Sequence, residues 1–286
     1  MSTTQIVMLG TGTPRPDPER SGPATAIIAN GKPYLVDFGP GVIRRAAAAY
    51  QRGVSALGRG VVNVTTAFLT HLHADHTAGY PDLILTPWIM GRTHPLDVYG
   101  PKGLAAMTRH VLAGWYVDIE NRINGIDRLP AAGCDVRAYE IEAGRIYEDA
   151  NVRVTAFRVR HGTIEDAFGY RFETRDKVIV ISGDTAPTEA IVEHANGCDV
   201  LIHEAYSEQT FNQVSPRWQE YRRNYHTSSH ELACLAGRIN PGLLILYHRV
   251  NVGAPITAPN PEEAVLNEIC SMYRGRVVVG HDLDVY

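Results

Sequence analysis

Residues 71–76 read His71-Leu72-His73-Ala74-Asp75-His76, three imidazoles and a carboxylate within six positions. Imidazole nitrogen and carboxylate oxygen are the donors that zinc and related divalent ions take. The apolar run 64–70 just before them has the composition of a buried strand. His71 and His73, two apart past its end, point to the same side by the alternation of extended chain. Four nitrogen and oxygen donors this close crowd one ion and suit two adjacent ions better. Such a pair, about 3.5–4 Å apart, brings the pKa of a shared water toward neutral, so the chemistry expected is hydrolysis at a P, C or S centre.

Elements that could hold such a cluster are legible around it. The first part is strand-rich: 5–9, then 25–29 and 34–37 on either side of Asn30-Gly31, a hairpin turn signal. Helices are expected at 44–51, 81–90 and 101–113, with Pro81 and Pro101 at tolerated early positions. The chain past Asp75 and His76 is expected to enter a helix near Ala78. Further strands are expected at 137–141, 152–160 and 167–173. The second part alternates strand and helix: strands 178–181, 200–203, 243–247 and 276–279, helices 187–194, 228–238 and 261–273, the last with Asn260 as its cap. This order suggests two mixed sheets under layers of helix. Without repeat, linker or low-complexity tract, residues 1–286 read as a single domain.

Composition narrows the partners. Hydrophobic residues make up 44%, charged residues 20%, and the formal net charge is −4. The pI near 6.3 lacks the basic footprint of a dedicated nucleic-acid binder. No apolar run reaches membrane-spanning length, and residues 1–14 do not have the pattern of a secretory leader, so a cytoplasmic protein is expected. Cys134, Cys198, Cys234 and Cys270 form no Cys-x-x-Cys pair and are expected as reduced, mostly buried thiols.

The motif His71-Leu72-His73-Ala74-Asp75-His76 resembles the His-x-His-x-Asp-His signature of the metallo-β-lactamase superfamily. Asp37, His161, Asp184 in Ser182-Gly183-Asp184-Thr185, and His248 resemble that family's other landmarks, in its order along the whole chain. The resemblance implies an α/β fold, a four-layer αββα sandwich of two mixed β-sheets. It also implies two metal sites: one from His71, His73, His161 and Asp184, the other from Asp75, His76, Asp184 and His248, with Asp184 bridging. A donor set without thiolate suits two Zn2+ ions, with manganese and iron open. Asp37 is a candidate to orient a ligand histidine.

Within the superfamily the pattern resembles the ribonuclease Z branch. His203-Glu204-Ala205-Tyr206 resembles its His-Glu-Ala-Thr motif, and His226-Thr227-Ser228 its His-Ser-Thr motif. By that resemblance Glu204 orients His226, His226 protonates the leaving oxygen, and Asp75 orients the attacking water. Transfer-RNA-processing members carry a long arm between the third and fourth motifs, whereas only 22 residues separate His161 from Asp184 here. The expectation is therefore a phosphodiesterase-like enzyme for a small substrate, with nucleic acid not expected as partner. Carboxylic ester or lactone, phosphotriester and aryl sulfate hydrolysis are the alternatives. Transfer-RNA 3′ processing, an iron-dependent redox enzyme and a binding protein on an inactive scaffold rank behind them. The resemblance also suggests a homodimer. Residues 206–225, rich in aromatics and arginines, suit either a lid over an anionic aromatic substrate or an amphipathic surface helix. His94, His110, His194, His230 and His281 fit no ligand pattern.

Overall fold

The computed structural model describes residues 4–251, 253 and 262–286. They divide into two compact units: one from the described residues of 1–10, 18–141 and 282–286, the other from 11–17 and 142–281.

The first unit is built on six strands in the order β1-β2-β3-β4-β5-β6: Thr4–Gly10, Ala24–Ala29, Lys32–Val36, Thr66–Phe68, Leu96–Gly100 and Val136–Glu140. The first three pair antiparallel and the rest parallel, so the sheet is mixed. The β2–β3 turn falls on Asn30 and Gly31, at φ 50 and 78, as a two-residue hairpin requires. Helices α1 (Val42–Gln51), α2 (Ala74–Thr77), α3 (Tyr80–Ile89), α4 (Leu104–Gly114) and α5 (Tyr116–Asn124) complete it. Val42 and Ala46 of α1, Leu83 and Trp88 of α3 and Leu104 of α4 share one core with Leu35, Ala67 and Val98 of the strands. The helix expected near Ala78 begins earlier, at Ala74, so Asp75 and His76 sit on a single helical turn. β5 and α5 escape the sequence reading; α5 has no fully buried residue and sets only the partly buried Ile119 and Ile123 against the core.

The second unit holds seven strands in the order β13-β12-β11-β10-β9-β8-β7. These are β7 (Gly144–Glu148), β8 (Val152–Arg158), β9 (Phe168–Thr174), β10 (Val178–Ile181), β11 (Val200–Ala205), β12 (Leu243–Arg249) and β13 (Val277–Val279). β10 to β13 pair parallel and β7 to β10 antiparallel, so this sheet too is mixed. Its helices are α6 (Glu189–Ala195), α7 (Glu208–Phe211), α8 (Pro216–Tyr225), α9 (Ser229–Ile239) and α10 (Glu262–Met272). Ile191, Leu232, Leu235, Ala236, Val265 and Ile269 pack the helices onto Leu201, Leu244 and Leu246 of the strands. α9 opens with a reciprocal cap between Ser228 and Glu231. The expected cap Asn260, with Pro261, lies outside the described residues, as do residues 1–3.

Two details depart from expectation. Cys134 and Cys198 are buried, but Cys234 and Cys270 are exposed; all four are free thiols. The segment 206–225 forms two helices, α7 and α8, where the sequence left its form open.

Candidate metal centre

In the first unit, Asp37 organises the histidine cluster. It follows β3 with φ 59, a left-handed conformation costly for an aspartate. Its N–H donates to the Phe68 carbonyl at 2.8 Å, tying it to the end of β4. The carboxylate, 2% exposed, accepts from the Thr70 N–H at 2.8 Å and the Thr70 hydroxyl at 3.0 Å. His76 Nδ1–H donates to its other oxygen at 2.8 Å. With its hydroxyl proton so committed, Thr70 Oγ1 accepts from His71 Nδ1–H at 3.0 Å. Both rings are thereby held in the tautomer that carries its lone pair on Nε2.

His71 Nε2 and His73 Nδ1 lie 3.0 Å apart. Two nitrogens each about 2.0–2.1 Å from one ion come to roughly this separation. Asp75 Oδ2 stands 3.6 Å from His76 Nε2. The turn that presents this pair is packed tightly on Gly39: a Cβ there would stand 2.4 Å from the Asp75 carbonyl oxygen. The Phe38 N–H donates to the His76 carbonyl at 3.0 Å, and the Gly79 N–H to the Phe38 carbonyl at 2.9 Å. Only a residue without a side chain lets the two loops approach this closely.

In the second unit, Asp184 follows β10, and His161 follows β8. Candidate ligand atoms of these two buried residues lie within 4.8 Å of each other. His161 Nδ1–H donates to the Tyr225 carbonyl at 2.8 Å, which leaves Nε2 as its candidate ligand atom. The Tyr225 ring lies against Gly162, where a Cβ would be 2.0 Å from it, and Gly162 sits at φ 56. His248 is 3.4 Å from Asp184 through Nδ1 and Oδ1. In the β11–β12 ladder Tyr247 pairs with Glu204 and Arg249 with Ala205, so His248 is skipped as a bulge residue at φ 40. Bulges of this kind re-aim a side chain beside a site.

Glu204, fully buried, accepts from His226 Nδ1–H at 2.9 Å and from the Thr185 N–H at 2.9 Å, both on Oε1. Burial, with the neighbouring Asp184 carboxylate second, pushes its carboxyl well above the usual range. The His226 ring centre is 5.4 Å from that of His161 and 6.2 Å from that of His248.

The structure thus gathers His71, His73, Asp75 and His76 in one unit, and His161, Asp184, Glu204, His226 and His248 in the other. The supports that sequence reasoning missed are Thr70 and the Tyr225 carbonyl. A threonine beside a histidine is too common to signal, and a carbonyl partner has no sequence signature. The imidazoles of His71, His76 and His161 are oriented through their second nitrogens, as ligands of a divalent ion are, so the donor set fits a metal. His94, His110 and His230 are exposed, His194 stacks on Phe157 at 4.4 Å, and His281 pairs with Glu262 at 2.6 Å. None of them joins either cluster.

His203 is a structural histidine. Fully buried, it donates from Nδ1 to the Glu204 carbonyl at 2.7 Å, and burial lowers its pKa to about 4. The folded imidazole holds its proton less tightly than the unfolded one, so acid favours unfolding. Stability is expected to fall as pH drops from 6.5 toward 4, by roughly 1.4 kcal/mol per unit of depression. Urea midpoints across that window check this: His203→Asn should lose less stability than the wild type between its two ends.

Residues 33–249 match the model of the Beta-lactamase superfamily domain. The Ribonuclease Z of Mycobacterium bovis (strain BCG / Pasteur 1173P2) is 32% identical over 98% of this chain and 96% of its own length. That of Mycobacterium sp. (strain KMS) is 33% identical over 98% and 94%. Among solved structures, the metallo-β-lactamase fold protein YhfI from Bacillus subtilis superimposes with TM-score 0.73 at 15% identity, covering 100% of this chain and 99% of its own. The short form of human tRNase Z does so with TM-score 0.67 at 21% identity, covering 99% and 98%. These findings overturn the expectation that nucleic acid is not a partner. It rested on the acidic pI and on the short connection, seen here as the β9–β10 hairpin. Relatives named for action on RNA match this chain along nearly their whole length, so that connection does not set it apart. Net charge, in turn, averages over the surface and hides local patches. Among the described residues no helix is long and apolar enough to cross a membrane. Its landmarks, its two mixed sheets and its full-length relatives agree: the chain belongs to the metallo-β-lactamase superfamily, as a metal-dependent hydrolase of the ribonuclease Z-like branch.

Proposed function

We propose that the chain is a dinuclear zinc phosphodiesterase whose substrate is RNA, working as one hydrolase domain. The observation that carries this reading is the buried Glu204–His226 pair, 2.9 Å apart and beside Asp184 and His248. Ribonuclease Z relatives at 32% identity supply the substrate class. One ion is assigned to His71, His73, His161 and Asp184, the other to Asp75, His76, Asp184 and His248. Support comes from the pairing inside each unit, His71 with His73, Asp75 with His76 and Asp184 with His161 and His248. Bound there, two divalent ions supply Lewis acidity that makes water acidic near neutral pH and offsets charge on phosphoryl oxygens.

The chain's own groups do the rest. Asp75 accepts the proton of the attacking water on a carboxylate oxygen. The water oxygen bonds to phosphorus as the P–O bond to the leaving nucleoside breaks. His226, its Nδ1–H fixed on Glu204, delivers a proton from Nε2 to that leaving oxygen. Asp37 and Thr70 keep His71 and His76 aimed.

Asp37→Asn replaces an acceptor of three hydrogen bonds by an amide that must also place two donors. Zinc affinity is expected to fall about 10- to 100-fold, read by competition with a chromogenic chelator. The function is tested with bis-p-nitrophenyl phosphate and a 3′-extended precursor transfer RNA. Zinc-dependent cleavage of both, with a 3′-hydroxyl left on the transfer RNA, is expected. Stoichiometric iron with oxygen uptake and no diester cleavage would sink the proposal.

A further inference from the structure

We propose that the aromatic face of α8 is a stacking subsite for an unpaired nucleobase on the leaving-group side of the scissile bond. This rests on the RNA reading above and deepens it.

Trp218, Tyr221 and Tyr225 recur at i, i+3 and i+7, so they share one face of α8. The Trp218 and Tyr221 rings meet edge to face at 5.6 Å, and Tyr221 and Tyr225 stack at 4.4 Å and 13°. The row ends on the candidate centre: the Tyr221 ring is 5.6 Å from that of His226, and Tyr225 is edge-on to His161 at 5.1 Å. All three aromatics are half-buried, on a helix whose other residues, Arg222 aside, are exposed or half-buried.

The face is held rigidly from behind. Arg222, fully buried, donates to Thr210 Oγ1 at 3.0 Å and lies over the Tyr206 ring. Arg223 lies 4.8 Å over the Phe211 ring. Tyr225 is clamped on Gly162, and its hydroxyl is 3.0 Å from Thr163 Oγ1. At the outer end the exposed Arg217 guanidinium lies 5.5 Å over the Trp218 ring, offering a cation to a phosphate beside the stacked base.

Aromatics interleaved with arginines are how proteins hold single strands without reading sequence, each stacked base contributing about 1–3 kcal/mol. The position selects the nucleotide. The residue that protonates the leaving oxygen must stand beside the nucleoside carrying it, and the row begins at that residue. Packing alone accounts for Trp88 differently: that ring is wholly buried, with its N–H donated to the Pro130 carbonyl at 2.9 Å. Trp218 lies instead half-buried at the outer end of the row, its Cγ–Cδ1 edge packed on Gly253, where a Cβ would stand 2.4 Å from Cγ.

The test measures anisotropy of a fluorescein-labelled single-stranded oligoribonucleotide on the zinc-loaded His226→Ala protein, where cleavage is slow. Adding Trp218→Ala should raise Kd about tenfold, and Trp218→Phe should restore most of the affinity. Arg217→Gln should lower the slope of log Kd against log salt by about 0.7, while Trp218→Ala leaves that slope unchanged. Unaltered binding in Trp218→Ala, or a Trp218→Phe as weak as alanine, overturns the subsite. The wild type's hydrolysis of bis-p-nitrophenyl phosphate, measured alongside, tests the hydrolase reading separately. A subsite that fails while the diester is cleaved refutes only this inference.

Discussion

Asp184→Ala is expected to lower kcat/KM on bis-p-nitrophenyl phosphate by at least about 10³-fold and to reduce bound zinc from two equivalents to one or fewer. Asp184 is 3% exposed and faces both His161 and His248 within its own unit. In the proposed centre its carboxylate is the only one shared, so its loss removes a donor from each ion at once. It would also leave any ions held there without that negative charge. Mass spectrometry under native conditions, together with the rate, checks this. An alanine variant that retains two zinc ions and near-wild-type rate would remove Asp184 from the centre. Asp184→Asn keeps the shape but loses the charge, and should retain more zinc than alanine while staying slow.

His226→Ala should separate the chemistry from the binding. Loss of a general acid costs about 10²–10⁴-fold when the leaving group is a poor one such as a ribose hydroxyl. A p-nitrophenolate leaves without help at neutral pH, so hydrolysis of bis-p-nitrophenyl phosphate should fall far less. Zinc content should not change, because His226 is assigned to neither ion. Its Nδ1 is committed to Glu204 at 2.9 Å, and its ring stands beside those of His161 and His248. Equal loss on both substrates would mean that His226 supports the fold of the site rather than proton transfer. Glu204→Gln should repeat the pattern more weakly, since an amide oxygen still accepts from Nδ1–H but leaves the imidazolium without a counter-charge.

Much of the chain was legible because its signals are local. The run 178–181 appears as β10 with the same bounds, and the Asn30-Gly31 turn joins β2 to β3 as expected. The metal motif is dense enough to read because its donors come from one turn of chain. β5 was missed because Pro95 before it and Gly100-Pro101 at its end read as loop signals that masked its alternation. The partner expectation erred for a different reason: whole-chain charge and one short connection were made to speak for a surface neither of them describes.

The sequence by itself named the candidates for the chemistry: His71, His73, Asp75, His76, His161, Asp184, Glu204, His226 and His248. The cluster 71–76 stands out by side-chain type and spacing, because imidazole and carboxylate are what divalent ions take; the other five were named only through the resemblance to a known family. Only the tertiary structure decided how each is aimed. The Asp37 carboxylate reaches His76 across 39 positions, His161 rests on a carbonyl 64 positions away, and His248 is turned by a bulge opposite Glu204. Apart from the Asp37 carboxylate, which the sequence already offered, these supports are a backbone carbonyl and strained dihedrals, φ 59 at Asp37 and 40 at His248. No residue type encodes them; they exist only once strands distant in sequence have paired and hold the chain against its local preference.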